Sequence, residues 1–391
     1  QLRLNEALTN EISDTSALTG LDTKIQSYMR QWGLHGASLA IMRNDSLVYA
    51  KGYGWADEEK QVKMQPSNIL RVASVSKLLT AAGIMLLQDQ GKLNIKDTVF
   101  GPRGILTDTT YTSVMKDPNY KKITIEDLLR HKGGFTSYGG DPMFSTRTIM
   151  QTNHLDTPPD NTELMRIMLR RRLRFVPGTS QYYSNFGYLL LSKVIEEVSG
   201  QPYEEFMQKN VLEPAGCYDM HIAGNYYKDK RKNEVRYYNG ADTCLVDEFN
   251  NSGNMVERCY GGSDIHSLSG AGAWVCSTPE LARFVASIDG RTEIPNVISQ
   301  ASVNAMTEWF DERTYSLGWN DPKPTGEWTR TGTLSGTSAL VKYYPDGECW
   351  IMVTNTSTWK GPGFTRYTAG LFRTLREKYS AKLPARDLFY K

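Results

Sequence analysis

The stretch from Leu70 to Gly91 constrains this 391-residue chain more than any other. From Ser74 onward its apolar residues fall at Val75, Leu78, Leu79, Ala82, Met85, Leu86 and Leu87, a helical spacing that is apolar nearly all round. Such a helix has to be buried, and Gly91 is placed to end it as the left-handed residue past the last turn. A serine and a lysine at the head of a buried helix are unusual. Ser74 and Lys77 are three apart and share one face, so their side chains can touch. Ser74 also lies in the first turn, where unpaired N–H groups and the positive end of the dipole favour a developing oxyanion. A serine held against an amine away from water is an activated nucleophile.

The plain alternative is a serine N-cap followed by a lysine that snorkels to the surface. Ser-x-x-Lys occurs at Ser74/Lys77, Ser113/Lys116 and Ser357/Lys360. The second runs into Asp117-Pro118 and the third into Gly361-Pro362-Gly363, turn sequences with no helix to fix the geometry. Only Ser74/Lys77 heads a long apolar helix.

Charge and cysteine usage exclude several function classes. With 45 basic against 43 acidic residues the net charge is +2, no basis for binding nucleic acid or an anionic membrane. The densest basic run, Arg170-Arg171-Arg172-Leu173-Arg174, reads as a solvated face at a helix end. No apolar run approaches the ~18–20 residues that span a bilayer. The polar opening Gln1-Leu2-Arg3-Leu4-Asn5-Glu6 is not a signal peptide. Five cysteines form no Cys-x-x-Cys pair, and the histidines form no His-Glu-x-x-His, so a metal site is not expected. Cys244 and Cys259 bracket a polar loop and can pair in an oxidising compartment; free thiols are the equal alternative.

The periodicities predict one antiparallel sheet made from both chain ends. Ser38–Arg43 and Ser46–Tyr53 around Asn44-Asp45, and Ala339–Tyr344 and Glu348–Thr354 around Pro345-Asp346-Gly347, read as two hairpins. Amphipathic helices at 17–32 and 365–378 flank them. Helices are expected between, at 124–131, 162–172, 186–199, 203–211 and 277–288, with a polar loop excursion over 222–265. The expected class is therefore α+β. Residues 1–95 plus 270–391 form the sheet lobe, and 96–269 an inserted, mainly helical lobe. The cleft between such lobes is the natural place for a site.

A nucleophile needs a base, an oxyanion site and something to orient substrate. Tyr183 and Asn185 stand at a loop tip just before the apolar helix from 186. The same spacing recurs at Tyr237 and Asn239, inside the polar excursion, without such a helix. On its own Tyr183 reads equally as an ordinary half-buried tyrosine. Arg330-Thr331-Gly332-Thr333-Leu334-Ser335-Gly336 leads into the strand at 339, and its glycines permit close approach of backbone to ligand. Alone it reads as a Gly/Thr/Ser turn.

Taken in order, these segments resemble the penicillin-recognising serine hydrolases: class C β-lactamases, D-alanyl-D-alanine carboxypeptidases and related esterases and D-aminopeptidases. Leu128-Leu129-Arg130-His131-Lys132-Gly133-Gly134, Pro177-Gly178-Thr179, Gly270-Ala271-Gly272-Ala273-Trp274 and Ser316-Leu317-Gly318-Trp319 are similar to further segments of that family, over roughly residues 20 to 378. The resemblance implies a β-lactamase/transpeptidase-like fold and a cofactor-free acyl-enzyme mechanism on an amide or ester. Ser74 is then the acylated nucleophile, Lys77 its partner amine and Tyr183 the general base or relay. Asn185 holds Lys77 and the substrate amide, and the N–H groups of Ser74 and Thr333 form the oxyanion hole. Arg330, Thr331 and Gly332 border the substrate. Arg330 stands where the family usually has Lys or His; a guanidinium cannot give up its proton and suits a carboxylate, so it either clamps an acidic substrate or tunes Tyr183. The implied partner is a small-molecule or peptide substrate and the implied location periplasmic or secreted. Oligomeric state is not legible. An esterase, or a catalytically silent module that senses peptidoglycan or a β-lactam, is the rival reading.

Overall fold

The computed structural model describes residues 2–240, 245–320 and 323–389. Both chain ends build one six-stranded antiparallel sheet. Strands β1 (Gly36–Arg43), β2 (Ser46–Asp57) and β3 (Val62–Lys63) come from the first end. From the last end come β4 (Trp328–Leu334), β5 (Thr337–Tyr343) and β6 (Glu348–Thr354), and the spatial order is β3-β2-β1-β6-β5-β4. The seam is β1 against β6, with Ala40 opposite Ile351. Asn44 and Asp45 both take positive φ in the β1–β2 turn, the backbone that a tight hairpin between right-twisted strands demands.

Alternation along the strands sends side chains into two cores. On one face Ile41, Trp350 and Met352 meet helix α1 (Thr19–Trp32) and the last helix, through Leu21, Ile25, Phe372 and Leu375. On the other face Ala40, Met42 and Ile351 join the large core that holds α2 (Ser76–Asp89), α3 (Asn185–Ser199) and α4 (Thr278–Ala286). The last helix, α5, is Phe364–Tyr379. Helix α2 is buried on all sides, with Leu78, Leu79, Ile84, Met85 and Leu87 all at 0% exposure. At about 1.5–3 kcal/mol for each such side chain, that burial holds the head of α2 in place. Gly91 lies past its end at φ +72°, as the spacing predicts.

Four regions differ from the sequence reading. Ser74 sits not inside the α-helix but in a tighter turn, Ala73–Val75, that precedes it. Residues 330–336 are not a turn: Arg330 to Leu334 belong to β4, with Gly332 opposite Ala339, because pairing with β5 overrides the turn-like composition. The polar stretch 222–265 is not plain loop. It carries a hairpin of Leu245–Asp247 with Met255–Glu257 and buries Tyr237 and Tyr260. The helix expected over 162–172 stops at Leu169, so the arginine run continues as a loop. Cys244 lies outside the described residues; Cys217, Cys259, Cys276 and Cys349 are buried free thiols.

Candidate active site

The turn that carries Ser74 is fixed in three ways. Ala73 is held at φ +51°, a left-handed conformation costing roughly 1–2 kcal/mol in a residue with a Cβ, and it turns the chain into Ser74. Behind it, Val72 N–H donates to Trp274 O at 3.0 Å, and Ser76 Oγ accepts from Trp274 N–H at 3.1 Å. In front runs β4. A Cβ on Gly332 would come within 2.4 Å of Val72 O and 2.8 Å of Ser74 N, so only glycine lets the strand lie against this turn. Ser74 is half-buried among buried neighbours, and Thr333 follows Gly332 along the same strand.

Lys77 is buried, and its ammonium reaches three acceptors. It donates to Ser74 Oγ at 3.0 Å, Asn185 Oδ1 at 2.6 Å and Ala271 O at 2.7 Å. Three acceptors match the three N–H bonds of an ammonium. Burial pushes the Lys77 pKa down, and neighbouring Arg330 works in the same direction against the pull of Tyr183.

Tyr183 stands between the two cations. Arg330 Nη2 donates to its hydroxyl at 3.0 Å, and Lys77 Nζ lies 4.7 Å from the ring centre. Burial alone would raise the phenol; Lys77 and Arg330 outweigh it, with help from hydrogen bonding to Lys77 and Ser74, and bring it down to about 8. Arg330 is 2% exposed and also donates through Nε to Thr331 O and through Nη1 to Gly318 O, each at 3.1 Å. Its fork is turned toward Tyr183 and two backbone carbonyls. Thr331 is tied to Asn320, whose Oδ1 accepts from Thr331 N–H at 2.7 Å.

Three supporting residues escaped the sequence reading. Asn185 Nδ2 donates to Asp141 Oδ2 at 2.8 Å, which fixes the amide so that its oxygen faces Lys77. His131 braces Tyr183 from both sides: its carbonyl accepts from Tyr182 N–H at 2.9 Å and its Nδ1 from Ser184 N–H at 3.0 Å. Burial, then Lys77 and Arg330, push the His131 imidazole well below its ordinary pKa, which keeps Nδ1 an acceptor. Ala271 contributes only a carbonyl. His131 lies in a segment that reads as family-like, but nothing in Gly139-Gly140-Asp141-Pro142 marks the carboxylate, because its role depends on a loop reaching across to α3. Among the described residues, no group of three His, Cys, Asp or Glu is arranged to hold a metal ion, and no helix is long and apolar enough to cross a membrane.

A helix-flanked antiparallel sheet, with Ser74, Lys77, Tyr183 and Asn185 brought together beside it by the heads of α2 and α3, is the architecture expected of the penicillin-recognising serine hydrolases. Residues 21–373 match the Beta-lactamase family model, and the chain belongs to that family. The putative penicillin-binding protein PbpX of Bacillus subtilis is 27% identical over 331 residues, 84% of this chain and 72% of that protein. Protein flp of Staphylococcus aureus is 27% identical over 54% of this chain, which spans only 39% of flp. The D-amino acid amidase of Ochrobactrum anthropi superposes with a TM-score of 0.69 at 17% identity, covering 93% of this chain and 99% of the amidase. At that identity the likeness speaks for the fold.

Proposed function

We propose that the protein is a serine hydrolase that cleaves an amide or ester through an acyl-enzyme on Ser74. One observation carries the reading: a single ammonium bridges Ser74 Oγ and Asn185 Oδ1 beside a phenol lowered to about 8. In the forward step the Tyr183 phenolate takes the Ser74 proton as Oγ attacks the carbonyl carbon. The N–H groups of Ser74 and Thr333 receive the oxyanion. The intermediate collapses, the leaving amine or alcohol takes the proton from Tyr183, and the acyl group stays on Ser74. Water then attacks the ester, Tyr183 accepts its proton and returns one to Ser74 as the acid departs. Lys77 and Arg330 keep enough Tyr183 ionised near neutral pH to act as the base in both halves, while Asn185 holds Lys77 and faces the substrate amide.

The amidase and penicillin-binding relatives support a peptide-like or β-lactam-like amide as substrate, with an ester as the competing class. A periplasmic or secreted location belongs to the same reading, and cell fractionation checks it. Incubation with a fluorophosphonate and with a penicillin, followed by mass spectrometry, is expected to place one adduct on Ser74. Turnover of nitrocefin against a p-nitrophenyl ester then separates the substrate classes. No adduct with either reagent would leave only a ligand-sensing module.

A further inference from the structure

The arginine run is exposed, as the sequence reading expects, and it also borders the cleft beside the site. A cavity of about 570 Å³ is lined by Arg171, Arg172 and Arg174 and also by Tyr183 and Asn185. Its floor is apolar and buried, through Tyr120, Phe135 and Phe186. Asn185 is two hydrogen bonds from Ser74 Oγ by way of Lys77. Tyr183 and Asn185 thus belong both to this lining and to the hydrogen-bonded group around Ser74.

The wall is built rather than loose. The Tyr120 hydroxyl shares its one proton between Met168 O at 2.9 Å and Arg171 O at 2.8 Å. Leu173 N–H donates to Asp117 Oδ2 at 3.0 Å, and Arg174 N–H to Gly134 O at 2.8 Å. The Arg174 guanidinium lies over Tyr138, 4.7 Å from its ring centre. Among the described residues none of the three guanidiniums is ion-paired. The one carboxylate in the lining, Asp141, accepts from Asn185 Nδ2 and from Met143 N–H instead. Three cations with no ion-pair partner among the described residues, on a fixed backbone over an apolar floor, suit a ligand with a short carbon chain ending in an anion.

We infer that the acyl portion of the substrate carries a carboxylate or phosphate group that docks on Arg171, Arg172 and Arg174. The inference rests on the hydrolase reading for its reaction but not for its binding. The kinetic test compares 4-nitrophenyl hydrogen glutarate with 4-nitrophenyl butyrate, and adds the 4-nitrophenyl ester of 3-phosphonopropionic acid to tell carboxylate from phosphate. The expected result is kcat/KM about tenfold or more higher for one anionic ester than for butyrate, a ratio that falls toward one in R171Q/R172Q/R174Q and falls partway in each single variant. Equal rates for anionic and neutral acyl groups, or a ratio untouched by every variant, would overturn it. So would a preference that appears only when the charge sits on the leaving group, as in 4-carboxyphenyl butyrate. Calorimetric binding of glutaric acid mono-4-nitroanilide to Ser74→Ala, lost in the triple-arginine background, supports the inference even where wild type turns over no ester; absence of that binding counts against it. Failure of the hydrolase reading looks different: no ester hydrolysed and no label on Ser74.

Discussion

Tyr183 and Tyr237 both stand two residues before an asparagine, and both have an arginine beside them, yet their phenols move in opposite directions. At Tyr237 burial raises the pKa well above ordinary, and Glu234 adds to it. The hydroxyl donates to Glu234 Oε2 at 2.6 Å, while the Arg71 guanidinium lies over the ring face, 4.3 Å from its centre. At Tyr183 the guanidinium meets the oxygen itself, and Lys77 joins it. Burial is common to both, so the sign is decided by which charge meets the hydroxyl. The asparagines differ in the same way. Asn185 is held between Lys77 and Asp141, whereas Asn239 Oδ1 is buried and has no hydrogen-bond partner among the described residues. One tripeptide spacing thus gives a phenol pulled toward ionisation in one place and one held protonated in the other.

Removing each hydroxyl is the severest way to break that contrast. Tyr183→Phe is expected to lower kcat by about 10²–10⁴-fold, the range of a lost general base, with thermal stability close to wild type. Tyr237→Phe is expected to keep kcat but cost about 1–3 kcal/mol in urea unfolding, since Glu234 and the Arg71 N–H lose their buried partner. Equal losses of kcat in the two variants would erase the distinction.

A pH profile sharpens it next. In the proposed mechanism Tyr183 acts as phenolate, so with a pKa of about 8 the rate should rise with pH, from about a tenth of maximum at pH 7 to about nine tenths at pH 9. Arg330→Gln removes one of the two cations that lower this phenol. The midpoint of kcat/KM should therefore shift upward and the rate at pH 7 fall, with recovery at high pH. A midpoint unchanged in Arg330→Gln would mean that another group titrates.

The smallest effect is expected from the amide support. Asp141→Ala frees the Asn185 side chain to rotate, and a hydrogen bond worth about 1 kcal/mol predicts a fall in kcat/KM of roughly fivefold. Asp141→Asn, which still accepts from Asn185 Nδ2, should restore part of it. No difference between the two variants would deny Asp141 its positioning role.

Much of the scaffold is legible because its signals are local. The period-two strands at both ends, the all-apolar helix closed by Gly91, and the Thr124–Asp127 and Ser277–Glu280 helix starts each depend on neighbours in sequence. Strand β4 is the exception that explains the limit. Its Thr-Gly-Thr composition reads as a turn, and only pairing with β5 and the close approach of Gly332 to the Ser74 turn make it a strand. The arginine run is a second exception, since sequence places cations near a helix end but cannot say which cavity they border.

What the sequence alone determined is a set of residue types at helical and strand spacing, Ser74 with Lys77 above all, because contacts three residues apart need no knowledge of the rest of the chain. The tertiary structure decided what those groups became. Arg330 faces a phenol instead of open solvent, Asp141 reaches Asn185 across a loop, and His131 holds both peptide groups around Tyr183. Electrostatic energy depends on distance through space and on exclusion of water, and neither is written in chain order.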